Sequence, residues 1–197
     1  MTTANWIQMF MSGKSETTTT LTNSYKATLA RSGAVFATQH DATTAGSFNA
    51  SSTQCYCTKG TDNNFYIGRL ALRFNLSAIS GTIKKAYIYV NVYSSEDLTT
   101  NIIIQRFTNT GTVVVGDYIS FADNYGNGGT KVILNVDKPY LKLELNNNGI
   151  TYLNTVVGDT ANLMIREYTK DYLNVEPTAL VNFGSNTIDH FLEVTYG

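Results

Sequence analysis

The run Tyr66-Ile-Gly-Arg-Leu-Ala-Leu-Arg-Phe-Asn-Leu-Ser77 carries the strongest structural signal in this chain. Its large apolar side chains alternate with charged or small ones, Leu70, Leu72 and Phe74 against Arg69, Ala71 and Arg73. A period of two is typical of a β-strand with one face in a core. We therefore predict a strand over Phe65–Asn75, with its leucines and Phe74 facing inward.

Further apolar runs separated by turn-forming residues follow along the chain. The predicted strands are Tyr25–Thr38, Cys55–Thr58, Phe65–Asn75, Ile83–Tyr93, Asn101–Phe107, Thr112–Val115, Lys131–Asn135, Leu141–Leu145, Ala161–Tyr168, Leu180–Phe183 and Phe191–Tyr196. Many short strands at regular spacing predict an all-β, antiparallel sandwich or barrel. One short helix is also predicted, because Asn148 can cap it, Ile150 and Leu153 follow at helical spacing, and Gly158 can end it.

The composition agrees with an all-β domain. The chain has 197 residues, which suits one domain, and only 15% of them are charged. The 13 tyrosines and 9 phenylalanines suit a pleated surface, as do the many threonines. With 2 prolines, the turns must rely on Gly and Asn.

Residues 1–24 differ from the rest of the chain. A short apolar stretch that includes Trp6, Ile7, Met9 and Phe10 is followed by a polar run rich in threonine. We predict an extended N-terminal arm or linker over residues 1–24 and a β-sandwich domain over residues 25–197. The apolar tip makes the arm a candidate assembly segment, and a plain strand folded onto the same sandwich is the alternative.

Charge and hydropathy argue against several kinds of partner. The net charge is −1 and no run of Lys or Arg occurs, so we expect neither nucleic acid nor a membrane surface as a partner. No stretch approaches the roughly 20 apolar residues of a membrane span. The N-terminus lacks the pattern of a signal peptide, so we expect the chain to be made in a cytoplasm without export.

The residue types needed for catalysis are sparse. His40 and His190 are the only histidines, and each is expected to be a surface turn residue. The 15 carboxylates are scattered, and Cys55 with Cys57 has no further metal-ligand partner in the sequence. We therefore predict a protein that is not an enzyme, with no catalytic residue, no metal and no cofactor.

Aromatic residues are the better lead to a binding site. Tyr87, Tyr89 and Tyr93 lie on the polar side of the predicted strand Ile83–Tyr93. Such a row can stack against sugar rings or anchor a subunit interface. Packing under a second sheet or under the arm is the alternative.

Several segments resemble one known group of domains. The run 66–77 and the following Ile83-Lys-Lys-Ala-Tyr-Ile-Tyr-Val90 are similar to the strand motif of DNRLRE-type, carbohydrate-binding-module-like sandwiches. The segments 147–154, 161–167 and 191–196 resemble their helix and closing strands. The resemblance covers residues 34–197, with Asn75 in place of the usual Asp. It implies a jelly-roll sandwich, which occurs in polysaccharide-processing proteins and in phage structural proteins.

Two functions follow as hypotheses. The first is a bacteriophage virion structural protein (a capsid decoration, head-fibre or tail-associated subunit) that acts through assembly and host-surface binding. Its partners would be other copies of the chain, with a trimer favoured, other virion proteins and host glycans. The second is a carbohydrate-binding module that stacks sugars on exposed aromatic side chains.

Overall fold

The computed structural model describes residues 15–50, 52, 54–91, 99–100, 102–127, 131–132, 140–178, 182–183 and 190–197. The strands are β1 Thr17–Gly33, β2 Ser47–Asn49, β3 Cys55–Lys59, β4 Phe65–Asn75, β5 Ile83–Asn91, β6 Thr99–Thr100, β7 Ile102–Phe107, β8 Phe121–Asn127, β9 Lys131–Val132, β10 Tyr140–Glu144, β11 Thr160–Glu167, β12 Asn182–Phe183 and β13 Phe191–Tyr196. The helices are α1 Phe36–His40 and α2 Asn147–Thr155, with a 3-10 turn at Val115–Ile119 and a π-helical turn at Tyr168–Tyr172. The all-β prediction is confirmed.

The strands form an antiparallel sandwich that is nearly closed into a barrel. They are hydrogen-bonded in the order β10-β5-β13-β1-β4-β11-β7-β8. β1 joins the two layers, because Thr17–Thr22 pair with β13 and the rest of the strand pairs with β4 after a register shift between Asn23 and Tyr25. On the opposite side, the Asn146 N–H donates to the Tyr125 carbonyl at 2.7 Å and brings β10 close to β8.

The inner core is apolar and lies between the two layers. Its buried residues include Leu70, Leu72 and Phe74 from β4, each fully inaccessible to solvent, and Ile88 from β5. The inward face predicted for β4 is therefore confirmed, as are the bounds of that strand. Leu153 of α2 closes one end of this core.

The outer face of β4 is buried as well, which the alternating pattern did not predict. Ala71 is fully buried and Arg69 is 1% exposed. A second apolar cluster covers this face with residues from α1, the 3-10 turn and β7, among them Phe36, Tyr118 and Phe107. The covering segments are short and aperiodic, so hydrophobic periodicity does not predict this third layer.

Several predicted boundaries are corrected. Residues 17–24 belong to β1 and pair within the sandwich, so the arm predicted over 1–24 does not extend that far. The strand predicted to reach Thr38 ends at Gly33, and α1 follows it. Thr112–Val115 is not a strand, whereas β8, which was not predicted, is one.

The predicted helix is present as α2, with a different cap. The Asn146 side chain, and not Asn148, accepts a hydrogen bond from the Gly149 N–H at 3.0 Å. Gly158 lies beyond the helix with a φ of +85°, a conformation that glycine adopts without strain. α2 packs across one end of the sandwich and includes Tyr152.

Candidate functional site

Of the two sites predicted from the sequence, the structure describes only part of the aromatic face. Tyr87 and Tyr89 lie half-buried on the outer face of β5, where the Lys142 ammonium is 3.9 Å from the Tyr87 ring centre and 5.1 Å from that of Tyr89. The Tyr89 hydroxyl donates to Glu193 at 3.3 Å. Tyr93 lies outside the described residues, as do the arm residues Trp6, Ile7, Met9 and Phe10.

A buried ionic cluster occupies the outer face of the β4–β11 pair. Asp171, fully buried in the π-helical turn, accepts hydrogen bonds from Arg69 Nη2 at 2.6 Å and Arg166 Nε at 2.8 Å. Arg69 also donates to the Tyr118 carbonyl at 3.0 Å, and its guanidinium lies 3.9 Å from the Tyr118 ring centre. Burial alone would raise the pKa of Asp171, but the two arginines outweigh it and hold that pKa well below its ordinary value.

Neighbouring groups complete the hydrogen bonds of this cluster. Glu167 accepts hydrogen bonds from the backbone N–H groups of Lys170 and Asp171, although burial raises the pKa of Glu167. Arg166 Nη1 donates to Gln105 at 3.1 Å. All three nitrogens of the Arg69 guanidinium are used. A cluster so fully paired fastens the π-helical turn to the sheet and offers little to a ligand.

The histidines differ from the prediction of surface turn residues. His190 is fully buried. His40 is the last residue of α1, and its Nε2 lies 2.6 Å from the Asp171 carbonyl oxygen while its Nδ1 lies 2.5 Å from Asp41 Oδ1. His40 therefore helps to hold the ionic cluster in place through its contact with the Asp171 carbonyl.

A cleft opens where the outer face of the sheet meets α2. It has a volume of about 370 Å³, within the roughly 300–1,000 Å³ of small-molecule sites. Its aromatic walls are Tyr25 of β1, Phe107 of β7 and Tyr152 of α2. Arg106 and Tyr152 also line an adjoining cavity of about 380 Å³, so the two spaces share a wall.

Arg73 forms one side of this cleft and is only partly engaged. Its Nη2 donates to the carbonyls of Asn109 and Gly111, and its guanidinium lies 5.0 Å from the Tyr25 ring centre. Its Nε–H is buried and has no hydrogen-bond partner. Burial raises the pKa of Tyr25 and the positive charge of Arg73 opposes that rise. Tyr25 is therefore a neutral wall of the cleft at physiological pH.

Asn162 forms the opposite side and is similarly incomplete. The residue is 5% exposed, and its amide Nδ2 donates to the Thr160 carbonyl at 3.2 Å. Its Oδ1 is buried without a donor. The Tyr152 hydroxyl holds the Asn162 backbone on both sides, accepting from its N–H at 2.8 Å and donating to its carbonyl at 3.3 Å.

Two residues that line the cleft thus hold a buried donor and a buried acceptor without partners. Asn162 and Arg73 are paired across β11 and β4, which places their side chains on the same face of the sheet. A buried polar atom without a partner costs about 1–3 kcal/mol, and a ligand hydroxyl can remove that cost. Sequence reasoning missed the cleft, although an arginine and an asparagine inside apolar strands were a visible signal.

The described ranges of the chain contain no group of three His, Cys, Asp or Glu side chains able to hold a metal ion. Cys55 and Cys57 are free thiols, and burial raises the pKa of both. Among the helices that the structure describes, none has the length and apolar character needed to cross a membrane.

Comparison with known proteins found no family model and no curated protein that matches this chain.

Proposed function

We propose that the protein is a non-enzymatic structural subunit of a bacteriophage virion that binds a host-surface saccharide in the cleft. The observation that carries the binding role is the pair of buried, unpartnered polar atoms, Arg73 Nε and Asn162 Oδ1, between the walls formed by Tyr25 and Tyr152. Preformed concave sites with a few polar groups on aromatic walls are typical of ligand binding.

A saccharide matches this arrangement better than other ligand classes. A sugar hydroxyl both donates and accepts, so adjacent hydroxyls can satisfy Asn162 Oδ1 and Arg73 Nε together. The apolar C–H faces of the ring suit aromatic walls. The cleft is polar and lined by Arg106 and Asp159 as well, which disfavours a purely apolar ligand.

The virion role is supported by sequence and by connectivity. The chain is rich in Thr and Asn and carries a short apolar stretch near its N-terminus, features that favour a virion subunit. β1 begins at Thr17, eight residues before Tyr25. At about 3.3 Å per residue the two points are roughly 26 Å apart, so attachment at one end leaves the cleft accessible at the other.

A saccharide array followed by calorimetry tests the binding role. We expect the best-bound bacterial surface saccharide to lose affinity about tenfold or more in Asn162→Leu, which removes the unpartnered oxygen at similar volume. Tyr89→Ala, on the other sheet, is the matched control and should bind as the wild type does. Equal affinity in Asn162→Leu, with an unchanged melting temperature, would refute the cleft as the binding site.

The alternative function is that of a carbohydrate-binding module outside any virion. The location of the protein distinguishes the two functions. The cleft serves both roles equally, so binding data alone do not distinguish them. Mass spectrometry of purified phage particles is the direct test. A stoichiometric subunit in the particle supports the virion role, and its absence from particles favours the module.

A further inference from the structure

Among the residues that the structure describes, no strand lies against one edge of the first half of β1, and this side is called the unused edge. Thr17–Thr22 pair with β13 along one side, and the strand pairs with β4 only from Asn23 onward. Within the described part of the chain, no backbone group pairs with the other side of Thr17–Thr22. The threonines at 18, 20 and 22 are exposed. A row of unpaired backbone groups is a ready template for another strand.

The direction of each N–H along this edge follows from one hydrogen bond. The Asn23 N–H donates to the His190 carbonyl at 3.2 Å, on the β13 side. Successive N–H groups of a strand point to opposite sides, so those of Thr19 and Leu21 also face β13. The N–H groups of Thr18, Thr20 and Thr22 consequently face the unused edge.

The chemistry of this edge suits a second copy of itself. Thr17–Thr22 contain no charge and no proline, the two features that normally protect an exposed edge. In an antiparallel pair centred on Thr20, the two copies of Thr20 lie opposite each other, Thr18 lies opposite Thr22 and Glu16 lies opposite Ser24, so no like charges meet. Glu16 is already paired with Lys84 at 3.0 Å.

We propose that two copies of this chain associate by antiparallel pairing of Thr17–Thr22 about a two-fold axis that passes between the two copies of Thr20. The β10-β5-β13-β1 layer then continues into the same layer of the partner. Such an interface is isologous and closed, so it yields a dimer and not the trimer favoured from the sequence. It is independent of the cleft and places no requirement on the saccharide.

Size-exclusion chromatography with light scattering on the full chain tests the pairing. We expect a dimer for the wild type and a monomer for Thr20→Pro, because proline removes a donor from the unused edge and is tolerated on edge strands. Thr19→Pro is the matched control, since it removes a donor that β13 uses and should lower the melting temperature. A wild-type monomer or trimer, or a Thr20→Pro dimer, would overturn the proposal.

Two further full-chain variants keep the test decisive if Thr20→Pro does not fold. The variant Thr20→Cys should form a disulfide-linked dimer on mild oxidation, because the two copies of residue 20 lie directly opposite each other across the axis. Trp6→Ala with Phe10→Ala should remain a dimer. An absence of cross-linked dimer, or a monomer on loss of the two aromatics, would contradict edge pairing. A monomer that still binds saccharide would overturn the pairing and leave the binding role standing.

Discussion

The two faces of β4 are buried through different kinds of interaction. The inner face buries Leu70, Leu72 and Phe74 among other apolar side chains, and this burial needs no particular direction. The outer face buries Arg69, whose charge is tolerated only because Asp171, 102 residues further along the chain, meets it at 2.6 Å. The first kind of burial is visible in a local pattern, and the second depends on a distant partner.

Two arginines on the outer face sharpen that contrast. Arg69 and Arg73 are four residues apart, or about 13 Å along the strand. Every nitrogen of the Arg69 guanidinium donates to a protein oxygen, whereas Arg73 keeps a buried Nε–H without a partner. The same residue type is therefore fully hydrogen-bonded at one position and only partly hydrogen-bonded at the other.

Removing the Asp171 carboxylate, the centre of the ionic cluster, should have the largest effect on the free energy of unfolding. Asp171→Ala leaves Arg69 and Arg166 buried without their counter-charge, so we expect a loss of about 3–5 kcal/mol in the free energy of unfolding. Leu72→Ala in the inner core gives the comparison, with an expected loss of about 2–5 kcal/mol. Urea unfolding measures both. A loss below about 1 kcal/mol for Asp171→Ala would mean that the outer layer contributes little.

Acid should lower the free energy of unfolding through the outer layer, by a smaller amount than the Asp171→Ala substitution does. The pKa of Asp171 is depressed in the folded state, so its contribution is complete above the ordinary aspartate pKa of roughly 3.9 and is lost as pH falls below that value. We expect the wild type to lose on the order of 2 kcal/mol between pH 5 and pH 2 through this group. Urea unfolding across that range is the measurement.

Asp171→Asn supplies the control for the acid effect. Asparagine has no proton to gain, so the variant should start less stable and lose less on acidification. Equal slopes for the two proteins would show that other carboxylates dominate the acid response.

Local patterns predicted the inner half of the fold. The bounds Phe65–Asn75 and Phe191–Tyr196 are reproduced because large apolar side chains alternate with polar or small ones along each strand. The α2 cap was misplaced by two residues because Asn146, Asn147 and Asn148 are equally able to cap a helix.

The outer layer and the cleft were not predictable in the same way. β8 was missed because Asp123, Asn124 and Gly126 read as turn residues, although pairing with β7 makes the segment a strand. The cleft joins Tyr25, Arg73, Tyr152 and Asn162, and only the tertiary fold brings these four together. Tyr87 and Tyr89 were visible candidates because alternation alone places them on an outer face.

The most direct test of the binding role is amide chemical-shift mapping with the best-bound bacterial surface saccharide. Titration into the labelled full chain should shift the resonances of Tyr25, Arg73 and Asn162 in a saturable manner, with little change at β5. Shifts confined to Tyr87 and Tyr89, or an unchanged spectrum at saturating saccharide, would contradict the assignment of the cleft as the binding site.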